Sequence, residues 1–194
     1  MNLARCPYCG LPDEPGTLDH ILAKSLYPEY SMFTKNLVPV CEKCNQKKRP
    51  RMWNDDGTRR FINPYYDAFM ASPFYAIEIL PPYQTPLFRV AFPNLSDADR
   101  NICESHFKRL QVYSKIANSC AERSRSLCWT FLPEVLDNTL TVAEMRWLVT
   151  RLERGERQGG GPNTWDGALY RSIIADDAVA HFVVTVPIGP ALPE

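Results

Sequence analysis

Two pairs of cysteines near the N-terminus constrain this chain more than any other feature of its sequence. Each pair has the spacing C-x2-C, and residues 10–40 separate them. The four residues are Cys6, Cys9, Cys41 and Cys44. Four thiolates from two short turns are a ligand set that zinc prefers, and such a site has no open coordination position. The spacing therefore predicts a structural zinc ion that holds a small N-terminal unit together.

The same spacing also occurs in redox-active dithiols, which is the competing interpretation. A redox pair is expected in a thioredoxin-like β-α-β context, and the surrounding sequence lacks one. The chain has seven cysteines, and an odd number argues against a disulfide framework. The remaining three occur in sequence with helical periodicity and are expected to be buried small apolar side chains: Cys103, Cys120 and Cys128.

The composition is that of an ordinary globular protein with one domain or two small ones, since 45% of the 194 residues are hydrophobic. No apolar run approaches the ~20 residues that cross a bilayer, and the N-terminus lacks the apolar stretch of a secretory signal. We therefore expect a cytoplasmic protein without membrane association. Clustered cysteines in that compartment usually bind metals or do redox work.

Charge is balanced over the whole chain but not along it. The formal net charge is zero, which is not typical of a strongly adhesive nucleic-acid binder. Residues 41–60 are nevertheless basic, whereas residues 133–194 are acidic. The basic segment would either contact phosphates or form a solvated helix face. Its candidate phosphate contacts are Lys43, Lys47, Lys48, Arg49 and Arg51.

The segment that contains the cysteine pairs predicts two short strands followed by a helix. Residues 17–22 alternate in the manner of a strand, and residues 36–40 are extended because Pro39 excludes a helix interior. A helix is expected over 41–48, and Pro50 limits its length.

Residues 61–194 predict a small aromatic-rich hairpin followed by helices. The expected hairpin strands span 74–80 and 87–92 and are joined by a Pro-Pro turn. Aromatic side chains here are expected to pack the small sheet, with base stacking as the alternative. The further expected elements are a helical stretch from Ser96, a helix from Thr141 to about Arg154, a flexible segment over 158–162, a helix over 165–175 and a strand over 181–186. His106 and His181 are expected to be structural or surface residues.

A zinc ion with four thiolate ligands leaves catalysis to other residues. His20 is the only histidine in the first 105 residues and adjoins Asp19, while Asn45 directly follows the last cysteine of the cluster. An imidazole deprotonates water near neutral pH. A carboxylate and an amide oxygen suit a largely hydrated Mg²⁺ or Mn²⁺ that also binds phosphate. These residues together predict a one-metal phosphodiesterase.

These motifs resemble the HNH endonuclease family, in the ββα-metal (His-Me finger) form that carries a four-cysteine zinc site. The resemblance rests on Asp19-His20, Asn36-Leu37-Val38-Pro39-Val40-Cys41 and Cys41-x-x-Cys44-Asn45. It implies that His20 is the general base and that Asn36 braces the loop between the strands. It also implies that Asp19 and Asn45 bind the catalytic metal. Many family members have histidine where this chain has Asn45, a difference that bears on metal preference.

A second resemblance concerns bacterial antiphage systems. Residues 19–30 and 61–67 are similar to HNH proteins that act as the nuclease partner of an SMC-like ATPase in Septu and related retron systems. This similarity implies that residues 61–194 dock on such an ATPase, and that the substrate is DNA or, in some cases, tRNA.

The sequence therefore predicts an α+β protein with an HNH nuclease unit over residues 1–60. The hairpin and mainly helical region over 61–194 is expected to dock a partner or substrate. The expected activity is hydrolysis of nucleic-acid phosphodiester bonds, with DNA favoured over RNA. Two alternatives stay open: a non-catalytic zinc-binding module for nucleic acid or protein, and a redox or metal-sensing regulator with reactive thiols.

Overall fold

The structure is a computed structural model that describes residues 5–137 and 139–185. The chain divides into two compact units, and each unit is built from two separate segments. The first unit comprises Met1–Phe74 and Phe92–Tyr113, and the second comprises Tyr75–Ala91 and Ser114–Glu194. No helix within the described residues combines the length and hydropathy that a bilayer span requires.

The first unit begins with two short strands and a helix, in the order that the sequence predicts. β1 (Thr17–His20) and β2 (Leu37–Val40) pair in an antiparallel sheet. α1 (Glu42–Lys48) follows β2 and packs against β1. Side chains alternate along β1, so that Asp19 is buried while Leu18 is exposed. Elements this short are not stable alone in water, because they bury too little apolar surface.

A longer helix from later in the chain completes the first unit. α2 (Asp97–Arg109) begins after Ser96, whose side chain caps it. His106 of this helix is fully buried; its Nε2 donates to the main-chain oxygen of Tyr8 (2.7 Å), and its Nδ1 accepts from the N–H of Ile62 (3.1 Å). Because one ring nitrogen donates and the other accepts, His106 is neutral. It connects α2 to the first cysteine turn, which agrees with the structural role that the sequence predicts.

The second unit contains the hairpin and most of the helices. The hairpin strands are β3 (Ala76–Leu80) and β4 (Leu87–Ala91). The helices are α3 (Val112–Leu136), which begins in the first unit, α4 (Val142–Gly160), α5 (Trp165–Ala175) and α6 (Asp177–Thr185). α5 packs against both β3 and α4. Apolar side chains such as Met145, Val149 and Leu169 are at most 1% exposed and form the core of this unit.

The hairpin and the helix over 165–175 agree with the sequence prediction, but the last element does not. The sequence predicts a strand over 181–186, whereas residues 181–185 form the end of α6; residue 186 lies outside the described residues. Asp176 begins this helix, because its carboxylate accepts from the N–H groups two and three residues later, at 2.9 and 3.1 Å. This cap favours a helix despite the β-branched residues that suggest a strand.

Two boundaries also differ from expectation. α4 continues to Gly160 instead of ending near Arg154, and the chain leaves it at Gly161, where φ is 85°. A left-handed backbone of this kind favours glycine, so the glycine run supplies the helix end and not a flexible segment. The compact units also divide the chain differently from a single boundary after residue 60, since residues 61–74 and α2 lie in the first unit.

Candidate active site and metal centre

Four cysteine side chains converge in the first unit. The sulfur atoms of Cys6, Cys9, Cys41 and Cys44 lie within 4.8 Å of one another, and each residue is at most 3% exposed. A tetrahedral zinc ion with Zn–S bonds of ~2.3 Å places its ligands about 3.8 Å apart, so the cluster fits zinc after a small contraction. The N–H of Gly10 closes the first turn on the Cys6 carbonyl oxygen (2.8 Å), with φ of 68° at Gly10. This donor set is suited to a structural metal.

His20 lies at the end of β1 and is oriented by the loop that follows. Its Nε2 lies 3.2 Å from the main-chain oxygen of Ser31. Because a carbonyl oxygen only accepts hydrogen bonds, Nε2 carries the proton of the neutral imidazole, and Nδ1 keeps an unprotonated lone pair. The residue is half-buried. Nδ1 is therefore the nitrogen that is suited to accept a proton from water.

Asn36 fixes the loop that orients His20. It is 4% exposed; its Oδ1 accepts from the N–H of Leu22 (2.7 Å), and its Nδ2 donates to the carbonyl oxygens of Leu22 and Tyr30 (both 3.0 Å). Tyr30 directly precedes Ser31, so Asn36 holds the residue next to the one whose carbonyl oxygen contacts the imidazole. Such contacts are those of a residue that braces the loop between β1 and β2.

Asp19 lies on the opposite face of β1 from His20, because side chains alternate along a strand. Its side chain is 8% exposed, and Oδ2 accepts from the Tyr8 hydroxyl (2.6 Å) and from Lys48 Nζ (3.1 Å). Burial raises the pKa of Asp19, while Lys48 and the Tyr8 hydrogen bond oppose that shift. The structure therefore brings the Asp19 carboxylate into contact with Tyr8 and Lys48, while His20 acts on it electrostatically without a hydrogen bond.

Lys48 does not agree with the phosphate contact that the sequence predicts. Its side chain is 1% exposed, and Nζ donates to the carbonyl oxygens of His20 (2.9 Å) and Ile21 (3.2 Å) as well as to Asp19. All three donors of the ammonium are thus satisfied inside the protein. Burial lowers the pKa of Lys48, and Asp19 opposes that shift. Neither charge would be stable there without the other, so the pair fixes the end of β1.

Asn45 is the candidate metal ligand that the structure leaves available. It follows Cys44 on α1 and is half-buried. Within residues 5–137 and 139–185 its side chain makes no hydrogen bond. Because Cys44 belongs to the thiol cluster, zinc binding would also determine the position of Asn45.

The other predicted basic contacts lie at the surface. The side chain of Lys43 is 70% exposed and lies 3.7 Å from the carboxylate of Asp13. Lys47, Arg49 and Arg51 are half-buried or exposed. Exposed lysine–carboxylate pairs contribute little to stability, so Lys43 is held only weakly by Asp13.

Sequence reasoning misses the two partners of Asp19. Tyr8 lies between the cysteines of the first pair, where a tyrosine predicts no particular chemistry. Lys48 is one of several neighbouring basic residues, but its spacing from Cys44 on the helix distinguishes it as a buried residue. It lies four residues after Cys44 and so shares the buried face of α1 with that thiol.

Comparison with known proteins finds a family match over the segment that contains the site. The sequence profile of the HNH endonuclease family matches residues 6–51, which include the thiol cluster, His20, Asn36 and Asn45. Protein ea31 of Escherichia phage lambda is 30% identical over 115 residues, or 57% of this chain. The chain spans 39% of the length of this curated relative. No solved structure matches the chain significantly. Residues 6–51 thus form an HNH endonuclease domain.

Proposed function

We propose that this domain hydrolyses phosphodiester bonds in nucleic acid, with DNA as the favoured substrate and RNA, including tRNA, as the alternative. The observation that carries the proposal is the orientation of His20. Its Nε2–H donates to the carbonyl oxygen of Ser31, within the segment that matches the HNH family. Asn36 holds the carbonyl oxygen of the preceding residue, Tyr30, and so braces the loop that presents Ser31 to the imidazole. Nδ1 of His20 therefore stays available for a reacting water.

In the proposed reaction His20 acts as a general base. Nδ1 accepts a proton from a water molecule, the water oxygen attacks the phosphorus atom, and one P–O ester bond breaks. The leaving oxygen takes a proton from solvent, so the products are an alcohol and a phosphate monoester. The hydrogen bond from Nε2–H to Ser31 strengthens when the ring becomes positively charged, which stabilises the imidazolium that forms.

We also propose Asn45 as a ligand of the catalytic Mg²⁺ or Mn²⁺, within a ββα-metal arrangement of β1, β2 and α1. Its amide oxygen is a hard donor of the kind that these cations prefer. When bound there, the ion would neutralise charge on the scissile phosphate. The sequence predicts Asp19 as a second ligand, but its carboxylate is directed toward Tyr8 and Lys48. We therefore assign Asp19 to positioning the end of β1.

The test is cleavage of plasmid DNA and of total tRNA, each with Mg²⁺ or Mn²⁺. His20→Ala should lower the cleavage rate by ~10²–10⁴-fold, because proton transfer to a positioned base contributes about that much. His181→Ala is the matched control, since it removes a surface histidine from the second unit, and it should cut at the wild-type rate. Wild-type activity in His20→Ala would reject His20 as the base. Binding without cleavage by the unaltered protein would favour a non-catalytic zinc-binding module.

A role in antiphage defence, with an SMC-like ATPase as partner, stays a prediction. The support is the sequence similarity of residues 19–30 and 61–67 to HNH proteins of such systems. Cleavage should then increase when an ATPase encoded beside this protein is added with ATP. The same addition to His20→Ala should produce no cleavage, which separates the activity of this domain from a nuclease in the partner. No change on adding the ATPase would argue against the partnership.

A further inference from the structure

A groove in the first unit is lined almost entirely by basic side chains. Its volume is about 670 Å³, and its lining contains no acidic residue. The lining residues are Lys47, Lys48, Arg49, Pro50, Arg51, Arg60, Phe61 and Arg109. Three of them, Arg60, Phe61 and Arg109, lie outside the segment that matches the HNH family, so they come from other parts of this chain.

Asn54 holds two of these arginines close together. Its Oδ1 accepts from Arg60 Nε (2.7 Å) and from Arg109 Nη2 (3.0 Å). The amide nitrogen of Asn54 donates to Thr58 (2.8 Å), and the nearby carboxylate of Asp56 also bonds to Thr58. One neutral amide oxygen therefore holds two guanidinium groups close together and leaves both positively charged. Like charges so close repel each other, and an anion in the groove would remove that repulsion.

Most basic side chains of the groove lack a carboxylate in direct contact, although Asp56 acts on Arg60 at longer range. Within the described residues, Lys47, Arg49, Arg51, Arg60 and Arg109 make no salt bridge with a carboxylate. Other arginines do so, and the pair between Arg59 Nη2 and Asp67 Oδ1 at 2.6 Å lies in the same unit. Several guanidinium groups on one surface can bind phosphates bidentately, and a helix face that is only solvated would not need such an arrangement.

Backbone conformation at the groove provides a second observation. Arg49 has φ of 58° and ψ of 177°, a region that is essentially restricted to glycine. An arginine at this position is strained, whereas a glycine would not be. Strained residues of this kind are concentrated at active sites and ligand-binding segments, where the surrounding structure holds them in place. The strain therefore favours a function for the Arg49 guanidinium.

We propose that this basic groove binds the phosphodiester backbone of the nucleic acid away from the scissile phosphate. The inference rests on the proposed function, and it adds Arg60 and Arg109 as substrate-binding residues. Lys48 borders the groove, while its Nζ contacts the carbonyl oxygen of His20. A strand bound in the groove therefore lies beside the end of β1, which carries the candidate base. Guanidinium forks pair with phosphates as they do with carboxylates, and the HNH match of the adjoining segment favours nucleic acid as the occupant.

The test measures binding without cleavage, in the His20→Ala background. The probes are a fluorescent DNA duplex and the corresponding single strand, titrated over a series of salt concentrations. Arg60→Gln with Arg109→Gln should weaken binding by about tenfold or more at physiological salt. It should also reduce the slope of log affinity against log salt by ~0.9 per lost phosphate contact for the duplex and ~0.7 for the single strand. Lys108→Gln is the matched control, because Lys108 is exposed on α2 beside Arg109 but does not line the groove.

Arg49→Gly is a second variant, and a loss of binding in it would not result from misfolding of the turn. Glycine suits the backbone at this position, so the variant should unfold at the same temperature as the parent or higher, yet bind with a lower salt slope. Parent-like binding by both groove variants would overturn the proposal. An equal loss in Lys108→Gln would also overturn it, since the effect would then be one of general charge. Stronger competition by polyglutamate than by unlabelled DNA would indicate an acidic protein partner instead.

The two proposals fail in distinguishable ways. If the protein with His20 intact cleaves nucleic acid while the groove variants bind like the parent, the nuclease assignment stands and the groove assignment is wrong. If that protein cleaves neither substrate but the groove variants lose affinity and slope, the groove binds nucleic acid and the nuclease assignment is wrong. If the parent protein binds neither probe, the groove proposal is overturned.

Discussion

Lys48 and Cys44 lie one helical turn apart on α1, so the helix that supplies a thiol of the cluster also supplies the ammonium that holds β1. The ammonium contacts the carbonyl oxygen of His20 and the carboxylate of Asp19. These contacts connect the helix of the thiol cluster to the strand end that carries the candidate base. A single side chain on the buried face of a short helix can therefore affect catalysis indirectly.

Lys48→Met tests this coupling. It should destabilise the zinc-loaded protein by ~3–5 kcal/mol, because removing one partner leaves the Asp19 carboxylate buried without a counter-charge. The measurement is the urea midpoint and slope, with the unfolding of the first unit followed by hydrogen exchange at β1. Lys43→Met is the matched control on the same helix. Its partner Asp13 lies at 3.7 Å and the pair is exposed, so we expect ~0–1 kcal/mol.

The double variant Asp19→Asn with Lys48→Met identifies the cause. Asparagine keeps an oxygen that accepts from the Tyr8 hydroxyl but carries no charge, so the double variant should be more stable than Lys48→Met alone. If Lys48→Met and Lys43→Met have the same small effect, the buried pair does not hold the strand. If the double variant loses the sum of the two single effects, the two side chains act independently.

At the scale of elements, we predict that the first strands and helix depend on a metal ion bound by the thiol cluster. β1 and β2 have four residues each and α1 has seven, lengths that are marginal without a cross-link. The four thiols are contributed by the first turn and by the start of α1, so a bound ion joins the two ends of this segment. Zinc should therefore contribute directly to the folding free energy of the first unit.

Removal of zinc should unfold these elements. The purified protein should contain about one zinc per chain, and a strong chelator should abolish hydrogen-exchange protection at β1 and β2. Cys41→Ser should show the same loss without chelator. Cys103→Ser is the matched control, since Cys103 is equally buried in the first unit but lies outside the cluster. It should retain zinc. Full protection in zinc-free protein would contradict a structural metal.

The sequence predicts an element well when the interactions that determine it lie within a few residues along the chain. The zinc ligands, the extended segment around Pro39 and the end of α1 follow from spacing and from backbone restrictions within a few residues. The Asp19–Lys48 pair joins positions 29 apart, and no local pattern identifies such a partner. The segment over 181–185 is misread because its β-branched residues suggest a strand, while the cap at Asp176 and packing in the second unit produce a helix.

At the scale of the whole molecule, the division into two units places three buried cysteines in different environments. Cys103 lies in the first unit, and Cys120 and Cys128 lie in the second. Burial raises the pKa of Cys103 and Cys120 to about 12 and that of Cys128 to about 11. A raised pKa keeps each thiol protonated at mildly alkaline pH, and the thiolate is the form that alkylating reagents attack. Each of these thiols therefore reports the unfolding of its own unit.

Alkylation with iodoacetamide after zinc removal should separate the two units. We expect Cys103 to be labelled together with the four cluster thiols, because the first unit loses its metal. Cys120 and Cys128 should stay protected, since the second unit has an apolar core around Val149 and Leu169 and its described residues form no cluster of metal-ligating side chains. Peptide mass spectrometry measures each site. The zinc-loaded protein and the protein in guanidinium provide the unlabelled and fully labelled controls.

The pattern of labelling also decides between two divisions of the chain. If Cys103 is protected as long as Cys120 is, a boundary after residue 60 describes the folding units better than the compact units of the structure do. If all three thiols react together on zinc removal, the protein unfolds as one cooperative system and the metal stabilises the whole chain. Labelling of Cys103 alone among the three would show that α2, with its buried His106 on the Tyr8 carbonyl oxygen, folds as part of the nuclease domain. The basic groove, which needs Arg109 from the same helix, would then form only when zinc is bound.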